Sequence, residues 1–147
     1  MPEVKLTPLR AGACKGPACG GHVSLVLKGV KMGWAADTKG RIVFLETSIR
    51  EPSSVRASLA ELVTRGYFKE CAGVVFGDLA AGGPNRKKLA GAELAAARAE
   101  MAQIRKDFAA KMTCPVYEGY PYGHISKSFA IDFLREKTIT EKGVLKQ

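Results

Sequence analysis

Residues 41–78 read RIVFLETSIREPSSVRASLAELVTRGYFKECAGVVFGD, and the fold class turns on this stretch. Arg41-Ile-Val-Phe-Leu45 is a continuous β-favouring run of the kind found in a parallel strand buried on both faces. Glu46 stands where that strand ends. Glu51-Pro-Ser-Ser54 then opens a helix, because proline is tolerated in a first turn and serine is a competent cap. Val55, Leu59, Leu62 and Val63 follow at i, i+4, i+7 and i+8, which makes one apolar face, and Gly66 supplies a stop. Ala72-Gly-Val-Val-Phe76 is a second buried strand, closing on Gly77-Asp78. A strand, a helix and a strand in this order predict parallel strands joined by a right-handed crossover.

The pattern continues downstream. A glycine-rich loop, Ala81-Gly-Gly-Pro-Asn85, leads into a long alanine-rich helix in which Leu94, Met101, Ile104 and Phe108 keep helical spacing. Pro115-Val-Tyr117 is a third short strand, and it runs into Gly119-Tyr-Pro-Tyr-Gly-His124. From Phe129 to Gln147 weak alternation around a Glu141-Lys142-Gly143 turn predicts one or two edge strands or a hairpin. Upstream, Asp37-Thr-Lys-Gly40 is a turn, and His22-Val-Ser-Leu-Val-Leu27 suits either a short helix or a strand. Residues 1–22 hold Pro2, Pro8, Gly12, Gly16, Pro17, Gly20 and Gly21, a density of turn formers that opposes regular structure. They are expected to form a lead-in loop or former interdomain linker, with residues 23–147 as the domain. The fold class is α/β, a short mostly parallel sheet with helices.

Composition narrows the function classes. A chain of 147 residues suits one domain large enough to hold a core without disulfides or metal. No apolar run reaches the roughly 18–20 residues of a membrane span. MPEVKLTPLR at the amino terminus lacks the apolar stretch of a secretory signal, so a cytoplasmic product is expected. On that reading Cys14, Cys19, Cys71 and Cys114 are reduced thiols. Lys and Arg total 23 against 14 Asp and Glu, a formal charge of +9 that reads as a basic solvated surface. Aromatics are only 7% and are not interleaved with the basic clusters, so a stacking platform for nucleic acid is not expected.

In parallel sheets, ligands gather beyond the carboxyl ends of the strands, where Glu46, Asp78 and His124 all fall. A carboxylate and an imidazole there make the base half of a hydrolytic triad. The histidine moves the proton, and the carboxylate fixes its tautomer. Asp78 reads more simply as a loop-capping aspartate.

The series Gly12-Ala-Cys-Lys-Gly16, Gly20-Gly21, Arg41-Ile-Val-Phe-Leu-Glu46, Gly73-Val-Val-Phe-Gly-Asp78, Pro115-Val-Tyr117 and Gly123-His124 resembles the carboxyl-terminal half of the LD-carboxypeptidase family of serine peptidases. That family includes muramoyltetrapeptide carboxypeptidases and microcin C immunity peptidases. LAELVTRGYF (59–68) resembles its helix and exit, and Gly83-Pro-Asn-Arg-Lys87 its next loop. The likeness runs in order over roughly residues 10–125. It implies a swivelling β/β/α-type domain in which Glu46 is the triad carboxylate and His124 the general base. It also implies a serine nucleophile on a separate domain, a murein-type peptide or related amide as substrate, and a homodimer partner. No cofactor or metal is implied. Ser24, Ser48, Ser53, Ser54, Ser58, Ser126 and Ser128 all lie outside a glycine-flanked elbow of the kind that exposes a nucleophile. The family's Gly-Gly-Asn is Gly20-Gly21-His22 here, its Gly-Thr is Gly33-Trp34, and its L-P-I-G is replaced by Phe129-Ala-Ile-Asp-Phe133.

Other residues carry competing readings. Cys14-x4-Cys19-x2-His22 offers three soft ligands, to which Cys71 or Cys114 would add a fourth for zinc, but the spacing is not that of a standard knuckle. Trp34 reads as packing, whereas Tyr120 and Tyr122, flanking a proline beside His124, read as the wall of a substrate pocket. If the serine domain is absent, Tyr120, Tyr122 and Ile125 are expected to form an exposed apolar patch.

Overall fold

A computed structural model of the chain describes residues 3–47, 51–77, 89–123 and 127–147. Alternation along the strands sorts its apolar residues into two cores. In β4 (Ile42–Glu46), Val43 and Leu45 face one way and Ile42 and Phe44 the other, and all four are fully buried. β3 (Cys14–His22), β4, β5 (Gly73–Gly77) and β6 (Val116–Tyr120) lie side by side and parallel. The helices α1 (Val23–Met32), α2 (Pro52–Thr64) and α3 (Gly91–Lys111) are the crossovers between them. Successive right-handed crossovers to the next strand place all three helices on one face. There Val43, Leu45, Val74, Phe76 and Val116 meet Val26, Leu59, Leu62, Met101, Ile104 and Phe108.

The opposite face is covered by the sheet itself. Ala18–His22 of β3 pair with β4, whereas Cys14–Pro17 pair with β7 (Glu136–Ile139). β7 pairs in turn with β8 (Val144–Lys146), and β8 with β1 (Val4–Lys5), all antiparallel. At the other edge β2 (Thr7–Arg10) pairs antiparallel with β6. The strand order is therefore β1-β8-β7-β3-β4-β5-β6-β2, with the first two strands of the chain at opposite edges. Only Leu6 separates those two strands, so the sheet must curl until its edges meet. Leu6 is buried at that seam and its N–H donates to Gly143 O at 2.8 Å. The curled sheet encloses Val4, Leu6, Cys14, Ile42, Phe44, Val75, Tyr117, Tyr120, Ile139 and Leu145. This is an α/β domain in β/β/α layers, partly parallel and nearly barrel-shaped. Among the described residues no helix is long and apolar enough to cross a membrane.

Several sequence expectations need correction. Residues 1–22 hold three strands instead of a lead-in loop, because glycine and proline in β3 serve close packing that propensity does not register. The carboxyl-terminal hairpin forms as expected around the Glu141–Gly143 turn, but β7 and β8 are interior strands, each flanked on both sides. His22–Leu27 resolves as the end of β3 and the start of α1. The cap of α2 is Glu51, which makes no side-chain cap hydrogen bond, with Pro52 at the first helical position.

Leu62 is fully buried in the helix-side core. Leu62→Ala is expected to cost about 2–5 kcal/mol, read as a lower urea midpoint at unchanged slope.

Candidate functional site

Parallel pairing brings the carboxyl ends of β3, β4, β5 and β6 to one edge. His22 lies beside Glu46, Leu45 beside Phe76, and Gly77 beside Tyr120. Glu46 is half-buried at the last position of β4. Gly77 ends β5 beneath the segment after β6, where a Cβ on it would come within 2.6 Å of Tyr122 O. Tyr122 N–H turns back to Tyr120 O at 2.7 Å. Burial raises the Tyr122 phenol above its ordinary pKa, and the charge of Glu46 raises it further. The Glu46 carboxylate and the segment leading to His124 therefore share one side of the sheet edge. His124 and Asp78 themselves lie outside the described residues.

Beneath this edge lies Arg105 of α3, 4% exposed. One of its Nη2 bonds donates to Gly77 O at 2.9 Å and a longer one reaches Thr47 Oγ1 at 3.5 Å, while Nη1 donates to Glu118 Oε2 at 3.3 Å. The guanidinium also lies 4.9 Å from the centroid of the Phe76 ring. A planar, permanently charged fork thus ties the ends of β4, β5 and β6 together. Sequence reading missed this residue, although a signal existed. Arg105 follows Met101 by four and precedes Phe108 by three, so it sits on the buried stripe of α3, where a charge needs partners. Arg105→Met is expected to cost about 3 kcal/mol by stranding Glu118 and the Gly77 carbonyl, with Arg105→Lys restoring only part. Denaturant titration of the two variants checks it.

The tyrosines are not an exposed patch. Tyr120 is fully buried in the barrel-side core, its ring 5.3 Å from Phe44. Its hydroxyl donates to Ala130 O at 3.0 Å and accepts from Gln147 Nε2 at 2.6 Å. Tyr122 is half-buried. The cause is a bulge in β6. Phe76 pairs with Glu118 but Gly77 with Tyr120, and the extra residue Gly119 swings Tyr120 from the edge into the barrel. Trp34 is 58% exposed and rests over Gly29, where a Cβ would lie 2.8 Å from its ring.

The zinc ligands considered above do not converge. Cys14 and Cys19 are five positions apart on β3, an odd separation that sends Cys14 into the barrel-side core and Cys19 into the helix-side core. His22, standing where the family pattern has asparagine, caps α1 by accepting from Ser24 N–H on Nδ1. Among the described residues no group of three or more His, Cys, Asp or Glu side chains is placed to hold a metal.

Comparison with known proteins bears on this edge. The family model of the LD-carboxypeptidase C-terminal domain matches residues 15–138. A probable murein peptide carboxypeptidase of Bacillus subtilis (strain 168) is 25% identical over 126 residues, covering 86% of this chain and 37% of the relative. Muramoyltetrapeptide carboxypeptidase from Oxalobacter formigenes has a crystal structure that shares the fold at a TM-score of 0.71 and 20% identity, over 98% of this chain and 48% of that one. An MccF-like protein from Bacillus anthracis str. Ames does so at 0.73 and 18%, over 95% and 41%. The chain thus spans less than half the length of these relatives. With the family match running through most of its residues, from β3 into β7, the chain belongs to the LD-carboxypeptidase family, as that family's C-terminal domain.

Proposed function

We propose that this domain supplies the Glu46 carboxylate and the His124 imidazole of a Ser-Glu-His triad that hydrolyses an L,D-peptide bond of a murein-type peptide, or a related amide. The observation that carries the reading is the half-buried Glu46 at the end of β4, its charge felt at Tyr122, two residues before His124. The names of relatives support the substrate class: a murein peptide carboxypeptidase in one case and, in another, the microcin C7 self immunity protein MccF in complex with aspartyl sulfamoyl adenosine.

The serine comes from a domain outside these 147 residues, in the same polypeptide or another. Its hydroxyl attacks the scissile carbonyl while His124 takes the proton, and His124 then returns that proton to the leaving amine nitrogen. Water, deprotonated by His124, releases the acyl group and regenerates the serine. Glu46 orients the imidazole and stabilises its protonated form throughout. Tyr122 borders the substrate near His124, and Tyr120 supports that border from within the core. The reaction needs no cofactor, and on this reading the domain works in the cytoplasm.

The test pairs this chain, in trans and as a covalent fusion, with the serine-bearing domain of a relative and follows D-alanine release from a murein tetrapeptide. Turnover by the pair, none by this chain alone, and loss of turnover in His124→Ala is the expected result. Turnover by the chain alone that survives His124→Ala overturns the proposal. A fusion that folds and binds peptide without cleaving it favours instead a catalytically incomplete binding module, a reading prompted by the absence of an elbow around any of the seven serines.

A further inference from the structure

The amino ends of the parallel strands, opposite the Glu46 edge, hold a pair of thiols. Cys71 precedes β5 and Cys114 precedes β6, and their sulfurs lie 3.5 Å apart. Cys71 is buried and its S–H donates to Phe68 O at 3.3 Å, with the Cys114 sulfur in hydrogen-bond contact, whereas Cys114 is partly exposed. Strands β5 and β6 run in register from Val74 and Val116 onward, and Val74 N–H donates to Pro115 O at 2.9 Å. The pairing of β5 with β6 thus brings the two segments that precede them together, and the sulfurs meet at 3.5 Å. Closing the bond brings the sulfurs about 1.5 Å nearer. Both residues lie outside the regular strands, Cys71 packed in the helix-side core and Cys114 partly exposed.

We propose that Cys71 and Cys114 form a reversible thiol–disulfide site, with Cys114 as the attacking sulfur toward a small anionic disulfide of the glutathione type and Cys71 as the resolving one. The Cys114 thiolate attacks one sulfur of the small disulfide, breaking that S–S bond and expelling one thiolate. Cys71 then loses its proton and attacks the Cys114 sulfur of the adduct, expelling the second thiolate and leaving an intramolecular disulfide. Two protein thiols are oxidised, and one external disulfide is reduced to two thiols.

The surroundings assign these roles. The hydrogen bond from Cys71 lowers the Cys114 pKa despite partial burial, and the charge of Arg10 assists. The same hydrogen bond, followed by burial, raises Cys71. Cys14 and Cys19 are also pushed up, to about 12 and about 11, chiefly by burial, whereas Cys71 needs no external reagent to reach it because it already touches the Cys114 sulfur. A cavity of about 270 Å³ is lined in part by Phe68, Lys69, Lys111, Met112 and Thr113, residues that lead in sequence to Cys71 and Cys114, and its two lysines suit an anionic reagent. The site is independent of the peptidase reading, because it uses the other end of the sheet.

Oxidised glutathione is added to the reduced, folded chain, remaining thiols are alkylated, and the digested peptides are weighed. Loss of two thiols per chain, both in a Cys71–Cys114 link reversed by dithiothreitol, is the expected result. Cys14 and Cys19 are alkylated only after unfolding. Cys71→Ala should halt at a glutathione adduct on Cys114, and Cys114→Ala should leave Cys71 unmodified. No thiol loss in the parent chain, a different pairing, or Cys71 reacting equally well without Cys114 overturns the proposal. The parent chain's map decides the matter even if a variant fails to fold.

Discussion

In the fusion of this chain with a serine-bearing domain, His124→Ala is expected to lower kcat by roughly 10⁶-fold and Glu46→Gln by roughly 10⁴-fold, with KM for the peptide changing far less. The two figures differ because the groups do different work. Without the imidazole nothing removes the serine proton or protonates the leaving amine, and roughly 8 kcal/mol of barrier returns. Without the Glu46 charge the imidazole is still present, but its tautomer and protonated form lose their support. Glu46→Gln keeps the shape of the strand end and removes only the charge, so circular dichroism should be unchanged. A loss below tenfold for either variant would remove that residue from the proposed triad. Because Glu46 also raises the Tyr122 phenol, Glu46→Gln should bring that phenol's titration down, a spectroscopic change available without any substrate.

Gly20→Ala is expected to unfold the domain or to cost at least about 5 kcal/mol, the extreme of what single substitutions do. Gly20 lies in β3 opposite Phe44, and a Cβ there would stand 2.0 Å from Phe44 O, a backbone atom that cannot rotate away. Its φ of +125° is also a conformation that L side chains rarely adopt. Relief would require β3 to part from β4, and with it the His22–Glu46 pairing at the candidate site. Thermal unfolding of the purified variant, compared with Leu62→Ala, tests whether this backbone contact outweighs a core leucine.

The same glycine shows why part of the fold was hidden in the sequence. Strands β4 and β5 announce themselves by IVFL and GVVF, apolar on both faces, and α2 by the period of Val55, Leu59 and Leu62. CKGPACGGH is a strand for the opposite reason: its residues are small enough for neighbouring backbones to close on them, and local propensity carries no such information. Glu46 was legible because a strand's end is set by its own run of residues. The burial of Tyr120 was not, since it depends on one inserted residue opposite Gly77. Arg105 could have been found as a charge on an apolar stripe, but its partners, Thr47, Gly77 and Glu118, lie 58, 28 and 13 residues away and are brought to it by the sheet. The nearness of Cys71 to Cys114 likewise follows from strand pairing alone.

The seam at Leu6 has a consequence for how the domain is made. Val4 pairs with Leu145 and Lys5 with Val144, so the first strand of the domain to be made waits for the last before it has a partner. The helix-side core, assembled from successive neighbours between β3 and β6, can form while synthesis continues. The barrel-side core cannot close until nearly the whole domain has been made, and contacts of such long sequence separation slow folding. A nascent chain stalled before residue 144 would therefore present one packed layer and an open, apolar inner face, the form in which chaperones would meet it.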